Sequence, residues 1–300
     1  MGVPLRARSR LAIGTALAAF VLLPAGPSAG GTPAPFPVDG RVLLVTESAE
    51  IQAVRPDGRA LVSASGYRGS SPRLSPDGQW LVATRSGELW LQPFGGDDSR
   101  ARRITARGRD GVWSPTGQRL AFVRGHALWS IGVDSRQSRL IWPLQKTQVP
   151  SPDSGAIDWS PDGRRLVFAD SEGRLWDVGI ATPRIRRLGP AGLRGFTPRW
   201  SPNGALVALV DEDGWLTVLN TRTGSVRVLA GGVDGYAWSP DGQFLAISRT
   251  IVYECDDDPY EGCQLGELSI VRLRNGETRQ RLRTDALGTV FDWRPRVISN

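Results

Sequence analysis

Trp-Ser-Pro-Asp-Gly at Trp159–Gly163, followed by the apolar run Leu166-Val-Phe-Ala169, is the stretch on which the fold turns. The phrase returns as Leu-Ser-Pro-Asp-Gly at Leu74–Gly78, Trp-Ser-Pro-Thr-Gly at Trp113–Gly117, Trp-Ser-Pro-Asn-Gly at Trp200–Gly204 and Trp-Ser-Pro-Asp-Gly at Trp238–Gly242. The intervals lie near ~40 residues, the period of architectures that repeat a four-stranded unit. Proline presets φ at the start of a turn, Asp or Asn tolerates its tight conformations, and glycine takes the positive-φ position without steric cost. Each phrase therefore reads as a hairpin between an innermost strand and the next. The tryptophan before it sits on a strand buried on both faces, where a large flat ring fills the wedge between units.

Each phrase leads into the same succession of segments. A first apolar run comes at Trp80–Ala83, Leu120–Val123, Leu166–Ala169, Leu206–Leu209 and Phe244–Ile247. A second comes at Leu89–Leu91, Leu128–Ile131, Leu175–Val178, Trp215–Val218 and Leu268–Val271. An Arg-rich third closes the unit at Ala101–Ile104, Arg139–Trp142, Arg184–Leu188, Val226–Leu229 and Thr278–Leu282. These are strand-length runs bounded by turn residues, with no sustained 3.6-residue period. The chain ends complete the pattern. Arg41–Val45, Glu50–Val54 and Arg59–Ser63 match second, third and fourth strands without a first, and Val290–Pro295 is a first strand without successors. The expected fold is all-β: a six-bladed β-propeller closed by the C-terminal strand pairing with the N-terminal blade, which hides both open sheet edges.

The 300 residues carry a formal charge of +7, but Arg6, Arg8 and Arg10 fall in residues 1–30, which hold no acid. Arginine is spread through every repeat rather than clustered with aromatics, so no nucleic-acid partner is expected. Those three arginines precede an apolar run, Leu11–Leu23, and small residues Ala25–Gly31. This is the pattern of a secretory signal, and the run is too short to span a bilayer comfortably. The division expected is a signal peptide over 1–30, a flexible leader over 31–37 and the propeller over 38–298. The product is then secreted or periplasmic in a bacterial envelope, monomeric, with no stable membrane span after cleavage. In that compartment the only cysteines, Cys255 and Cys263, read as a disulfide stapling one short loop, worth on the order of 2–3 kcal/mol.

The repeats resemble the WD40-like (PD40) propeller repeats of the TolB family of exported bacterial proteins. The likeness rests on Trp-Ser-Pro-Asp-Gly with its following apolar triplet, in five units and in worn form at Trp293-Arg-Pro295. It implies a six-bladed binding platform in the cell envelope. The additional N-terminal α/β domain of that family has no counterpart here, so the chain resembles a stand-alone propeller.

No catalytic residue is expected. Sialidase-type Asp boxes separate Asp from Gly, whereas here the two are adjacent. His126, the sole histidine, lies in a turn without a Gly-x-Ser-x-Gly elbow and reads as a solvated loop residue. Chain length argues against a propeller-plus-hydrolase peptidase. Asp256, Asp257 and Asp258 are weak candidates for Ca²⁺, an oxygen-seeking ion, and read better as a solvated acidic loop. No metal and no cofactor are expected. Asp110, Asp158, Arg199 and Asp292 lie on or beside innermost strands, where they either face the central channel or form ion pairs between blades. Longer connections at Leu144–Ile157, Gly189–Pro198 and Ile251–Leu265 fall on the face opposite the Pro-x-Gly hairpins. Loops on a rigid scaffold carry function disproportionately, so Arg107, Arg109, Arg194, Arg249 and Tyr260 are the candidate contacts there. Together these features point to a non-enzymatic propeller binding a protein or peptide partner. The alternatives are a calcium-dependent, lactonase-like hydrolase built around the axial acids, and a small-ligand sensor.

Overall fold

A computed structural model describes residues 41–46, 51–55, 60–64, 67–94, 98–125, 127–143, 157–182, 184–253, 263–274, 276, 278–284 and 288–294. Its strands form six four-stranded antiparallel sheets. Five are consecutive in the chain. The first contiguous blade holds Ser70–Leu74, Trp80–Arg85, Glu88–Pro93 and Arg102–Thr105; the second holds Arg109–Trp113, Arg119–Val123, Ala127–Gly132 and Ser138–Pro143. The third holds Ile157–Trp159, Arg165–Ala169, Leu175–Gly179 and Ile185–Arg187; the fourth holds Phe196–Trp200, Leu206–Val210, Leu216–Asn220 and Val226–Ala230. Gly235–Trp238, Phe244–Tyr253, Cys263–Arg272 and Thr278–Thr284 make the fifth. Counted as uninterrupted units, the chain thus has five blades rather than six. The remaining sheet is a composite of both ends, with Gly288–Arg294 innermost, then Arg41–Thr46, Ile51–Val54 and Ala60–Ala64. Its joint is antiparallel, with Val42 opposite Trp293 and Leu43 opposite Asp292.

The repeated phrase does identifiable physical work at each hairpin. In the third blade the Ser160 hydroxyl donates to Asp162 Oδ1 at 2.5 Å and accepts the Arg165 N–H at 3.0 Å, while Asp162 Oδ1 also takes the Arg164 N–H. Ser201 with Asn203 and Ser239 with Asp241 repeat the arrangement. Gly78, Gly117, Gly163, Gly204 and Gly242 all adopt φ of 68–74°, the left-handed region that side chains resist. The hairpins also touch one another. A Cβ on Gly117, Gly163, Gly204 or Gly242 would lie 3.4–3.9 Å from the phrase proline of the preceding blade.

Between blades the tryptophans are wedges with a polar tip. Trp113 Nε1 donates to Arg73 O at 3.0 Å, Trp159 Nε1 to Val112 O at 3.2 Å and Trp238 Nε1 to Arg199 O at 3.1 Å. Each bond runs from one innermost strand to the residue just before the phrase on the strand of the previous blade. Trp200 and Trp293 are buried as deeply as Trp159 and Trp238, but their Nε1 atoms have no partner among the described residues. Apolar clusters fill the blade interfaces; one joins Val112, Ile157, Trp159, Leu166 and Phe168 across the second and third blades.

Candidate binding site at the channel mouth

Because one residue precedes each phrase, the six innermost strands present one side-chain position six times around the ring. In chain order the occupants are Arg73, Val112, Asp158, Arg199, Ala237 and Asp292. Two arginines and two aspartates therefore share one level, with the like charges on opposite blades. Burial and the repulsion of Arg199 hold the Arg73 guanidinium down to about 10, although Asp158, Asp292 and Asp110 oppose that shift. Burial drives Asp158 the other way, to about 6, despite Arg199, Arg73 and the N–H of Trp200, which reaches its Oδ2 at 2.8 Å.

Asp158 thus titrates above the roughly 3.9 of an unfolded aspartate. A group whose pKa rises on folding contributes most below its unfolded pKa, and that contribution is lost as pH rises through about 6. Asp158→Asn keeps an acceptor for Trp200 without the charge. It is expected to match the parent near pH 4 and to exceed it by roughly 1–3 kcal/mol at pH 8, at 1.36 kcal/mol per unit. Denaturant melts across that range check it, and a difference independent of pH would contradict the assignment.

Just above this level, on the face away from the hairpins, three innermost strands bulge. Ser71, Asp110 and Thr197 have φ of 53°, 58° and 48°, and the ladder register shifts at each. Bulges of this kind re-aim side chains near sites. Two of the three, at Ser71 and Thr197, border a cavity of about 390 Å³ whose walls include Tyr67, Arg73, Phe196, Arg199, Tyr236 and Phe291. Tyr236 forms part of the base. Its hydroxyl lies 2.5 Å from Thr197 O and 2.9 Å from Ala208 O, and burial pushes its pKa up. The Arg199 guanidinium sits 5.6 Å from its ring centroid. On the rim, Asp211 Oδ1 takes the N–H groups of Asp213 and Trp215, and Asp234 Oδ2 takes the Thr250 hydroxyl.

Of the residues singled out from sequence, only Arg199 lines this cavity. Asp158 and Asp292 share its ring but lie outside the walls. Asp110 is buried at the bulge, pairing with Arg109 at 2.7 Å while its N–H meets Thr84 Oγ1. Arg107 is exposed in a turn, and Arg194 donates to Ala191 O and Leu193 O of its own loop. Arg249 is 3.7 Å from Glu267, directly across the ladder of a strand that runs ten residues rather than ending near Ile247. Tyr260, Asp256, Asp257, Asp258, Cys255 and His126 lie outside the described residues, as do the signal and leader segments. The Cys255–Cys263 pairing is therefore not described, although Cys263 opens a strand opposite Tyr253. Among the described residues no group of three or more His, Cys, Asp or Glu could hold a metal ion. No described helix is long and apolar enough to cross a membrane.

No family model matches the chain. Over 145 residues it is 26% identical to the uncharacterized peptidase YuxL of Bacillus subtilis (strain 168), a match spanning 40% of this chain and 22% of that protein. Over 238 residues it is 28% identical to a probable dipeptidyl-aminopeptidase B of Penicillium rubens, spanning 65% of this chain and 26% of that one. The chain thus matches about a quarter of either relative's length. Among solved structures it resembles TolB from Acinetobacter baumannii, with a TM-score of 0.64 at 19% identity over 88% of this chain and 68% of that chain. That likeness shows a β-propeller of TolB-like form.

These relatives correct the expectation of a non-enzymatic chain. Both carry peptidase names and extend far beyond the matched segment, so chain length gives no ground for setting hydrolysis aside. A propeller is a scaffold, and chemistry belongs to the site rather than to the fold.

Proposed function

We propose that the chain is a propeller of the bacterial envelope that docks a protein or peptide at the channel mouth. The observation that supports this most is the cavity itself. It is concave, walled by aromatic side chains around two arginines, and bordered by the left-handed bulges at Ser71 and Thr197 at the start of two innermost strands. Recognition sites combine apolar walls with a few placed polar groups in this way. The signal-like N-terminus and the TolB-like fold support the envelope location.

A photocrosslinking phenylalanine analogue in place of Phe196 is expected to give discrete adducts in envelope extracts, competed by excess unmodified chain. The same group at Asn203, on the hairpin face, is expected to give none. Equal labelling from both positions would dismiss the mouth as the docking face.

The two peptidase-named relatives favour a second reading, in which the propeller serves a peptide-hydrolysing system. Turnover of fluorogenic peptides by the purified chain would support that reading.

A further inference from the structure

We propose that the channel mouth is a carboxylate-recognition site, with Arg73 and Arg199 holding the anion and Tyr67, Phe196 and Phe291 flanking the apolar group that carries it. This rests on the mouth being the docking face and adds the chemistry of what docks. Three observations carry it.

The first is which charges the cavity meets. Both arginines line it, whereas Asp110, Asp158 and Asp292, the acids that share their surroundings, do not. The rim acids that do line it, Asp211 and Asp234, already accept hydrogen bonds from their own turn and a neighbouring threonine.

The second is how the two arginines are bonded. Arg73 Nη1 reaches Pro72 O at 3.1 Å and Arg199 Nη1 reaches Phe291 O, both backbone carbonyls. Neither forms an ion pair with a described carboxylate, in contrast to Arg109, Arg165, Arg174 and Arg186, which all do. Arg199 Nε is buried with no hydrogen-bond partner among the described residues. Burying a cation without a direct ion-pair partner is costly. Burial and the repulsion between the two guanidiniums depress the pKa of Arg73 even though Asp158, Asp292 and Asp110 lie near enough to oppose the shift. A guanidinium fork is shaped for two parallel bonds to a carboxylate.

The third is the wall. Tyr67 and Phe291 are buried and Phe196 half-buried around the cavity. Tyr67 and Phe291 give the cavity an apolar floor, and an aromatic or branched carrier would cover the part of Phe196 that stays exposed, which a bare inorganic anion would not. A small free acid and the C-terminus of a peptide present the same chemistry.

The test is calorimetric titration of the purified chain with N-acetylphenylalanine, its amide, inorganic phosphate, and a hexapeptide ending in phenylalanine as acid and as amide. Both acids are expected to bind at least tenfold more tightly than their amides and than phosphate. Arg199→Gln should erase that preference. Ser71→Asp, at a position whose left-handed φ an aspartate tolerates, should weaken acid binding at least tenfold and remove the preference for acid over amide. It keeps the test open if Arg199→Gln fails to fold. Tighter binding by the hexapeptide identifies a peptide terminus as the source, and parity identifies a small acid; both outcomes support the site. Equal binding of acid and amide, phosphate binding as tight as the acids, or no heat from any probe would overturn it. The crosslink from Phe196 separately tests whether the mouth is a docking face.

Discussion

Deleting residues 288–300 is expected to abolish the cooperative unfolding transition rather than merely lower its midpoint. That strand supplies the innermost position of the composite sheet and buries Val290, Phe291 and Trp293 to within 5% exposure. At about 1.5–3 kcal/mol for each large apolar side chain, their loss alone removes roughly 5–9 kcal/mol. Whole domains have only about 5–15 kcal/mol to lose. The deletion also bares a row of unpaired backbone groups along Arg41–Thr46, an invitation to aggregate. Circular dichroism melts and light scattering of the truncated chain are the measurement. A melting temperature within a few degrees of the parent would mean that the ends do not close the ring.

The second large effect is at a wedge. Trp159→Ala is expected to cost about 3–5 kcal/mol, the usual range for emptying a buried aromatic site, and to lower the melting temperature by roughly 10 °C. The indole packs among Val112, Ile157, Leu166 and Phe168 and donates to Val112 O of the previous blade. Trp159→Phe keeps most of the volume and loses only that bond, about 1 kcal/mol. Trp215, 49% exposed, supplies the comparison. Its alanine variant is expected to change stability by no more than about 0.5 kcal/mol, as surface replacements do. Equal losses at Trp159 and Trp215 would refute the wedge role.

Much of the architecture was legible because turn chemistry is local. Ser, Pro, Asp and Gly in succession fix a hairpin whatever surrounds them, so the repeat announced its strands and the wedge tryptophans between them. The site was less legible because it is made at long range. Arg73 belongs with Asp158, Arg199 and Asp292 by position, one residue before the phrase, and the aligned Leu74–Gly78 repeat already carried that signal. Tyr236 becomes part of the cavity base only through carbonyls 39 and 28 residues away. No local pattern encodes such a partner. Arg249 sits elsewhere than the sequence suggests for the opposite reason. A strand continuing to Tyr253 carries it into a ladder opposite Glu267, where the sequence suggests a loop. The three bulges left a faint trace, since Ser71 and Thr197 each precede a proline and Asp110 precedes a glycine.

The composite sheet also dictates a timetable. Arg41 and Arg294 are partners in the same ladder although nearly the whole chain separates them. A ribosome makes one of them close to the start and the other close to the end, at about 5–20 residues per second. Through that interval the nascent polypeptide has no innermost strand in its composite sheet to pair with Arg41–Thr46. Joining its two extremities is the costliest loop to form in entropy, and it comes last. Until the final strand arrives, the sixth sheet lacks its innermost member and the ring cannot close.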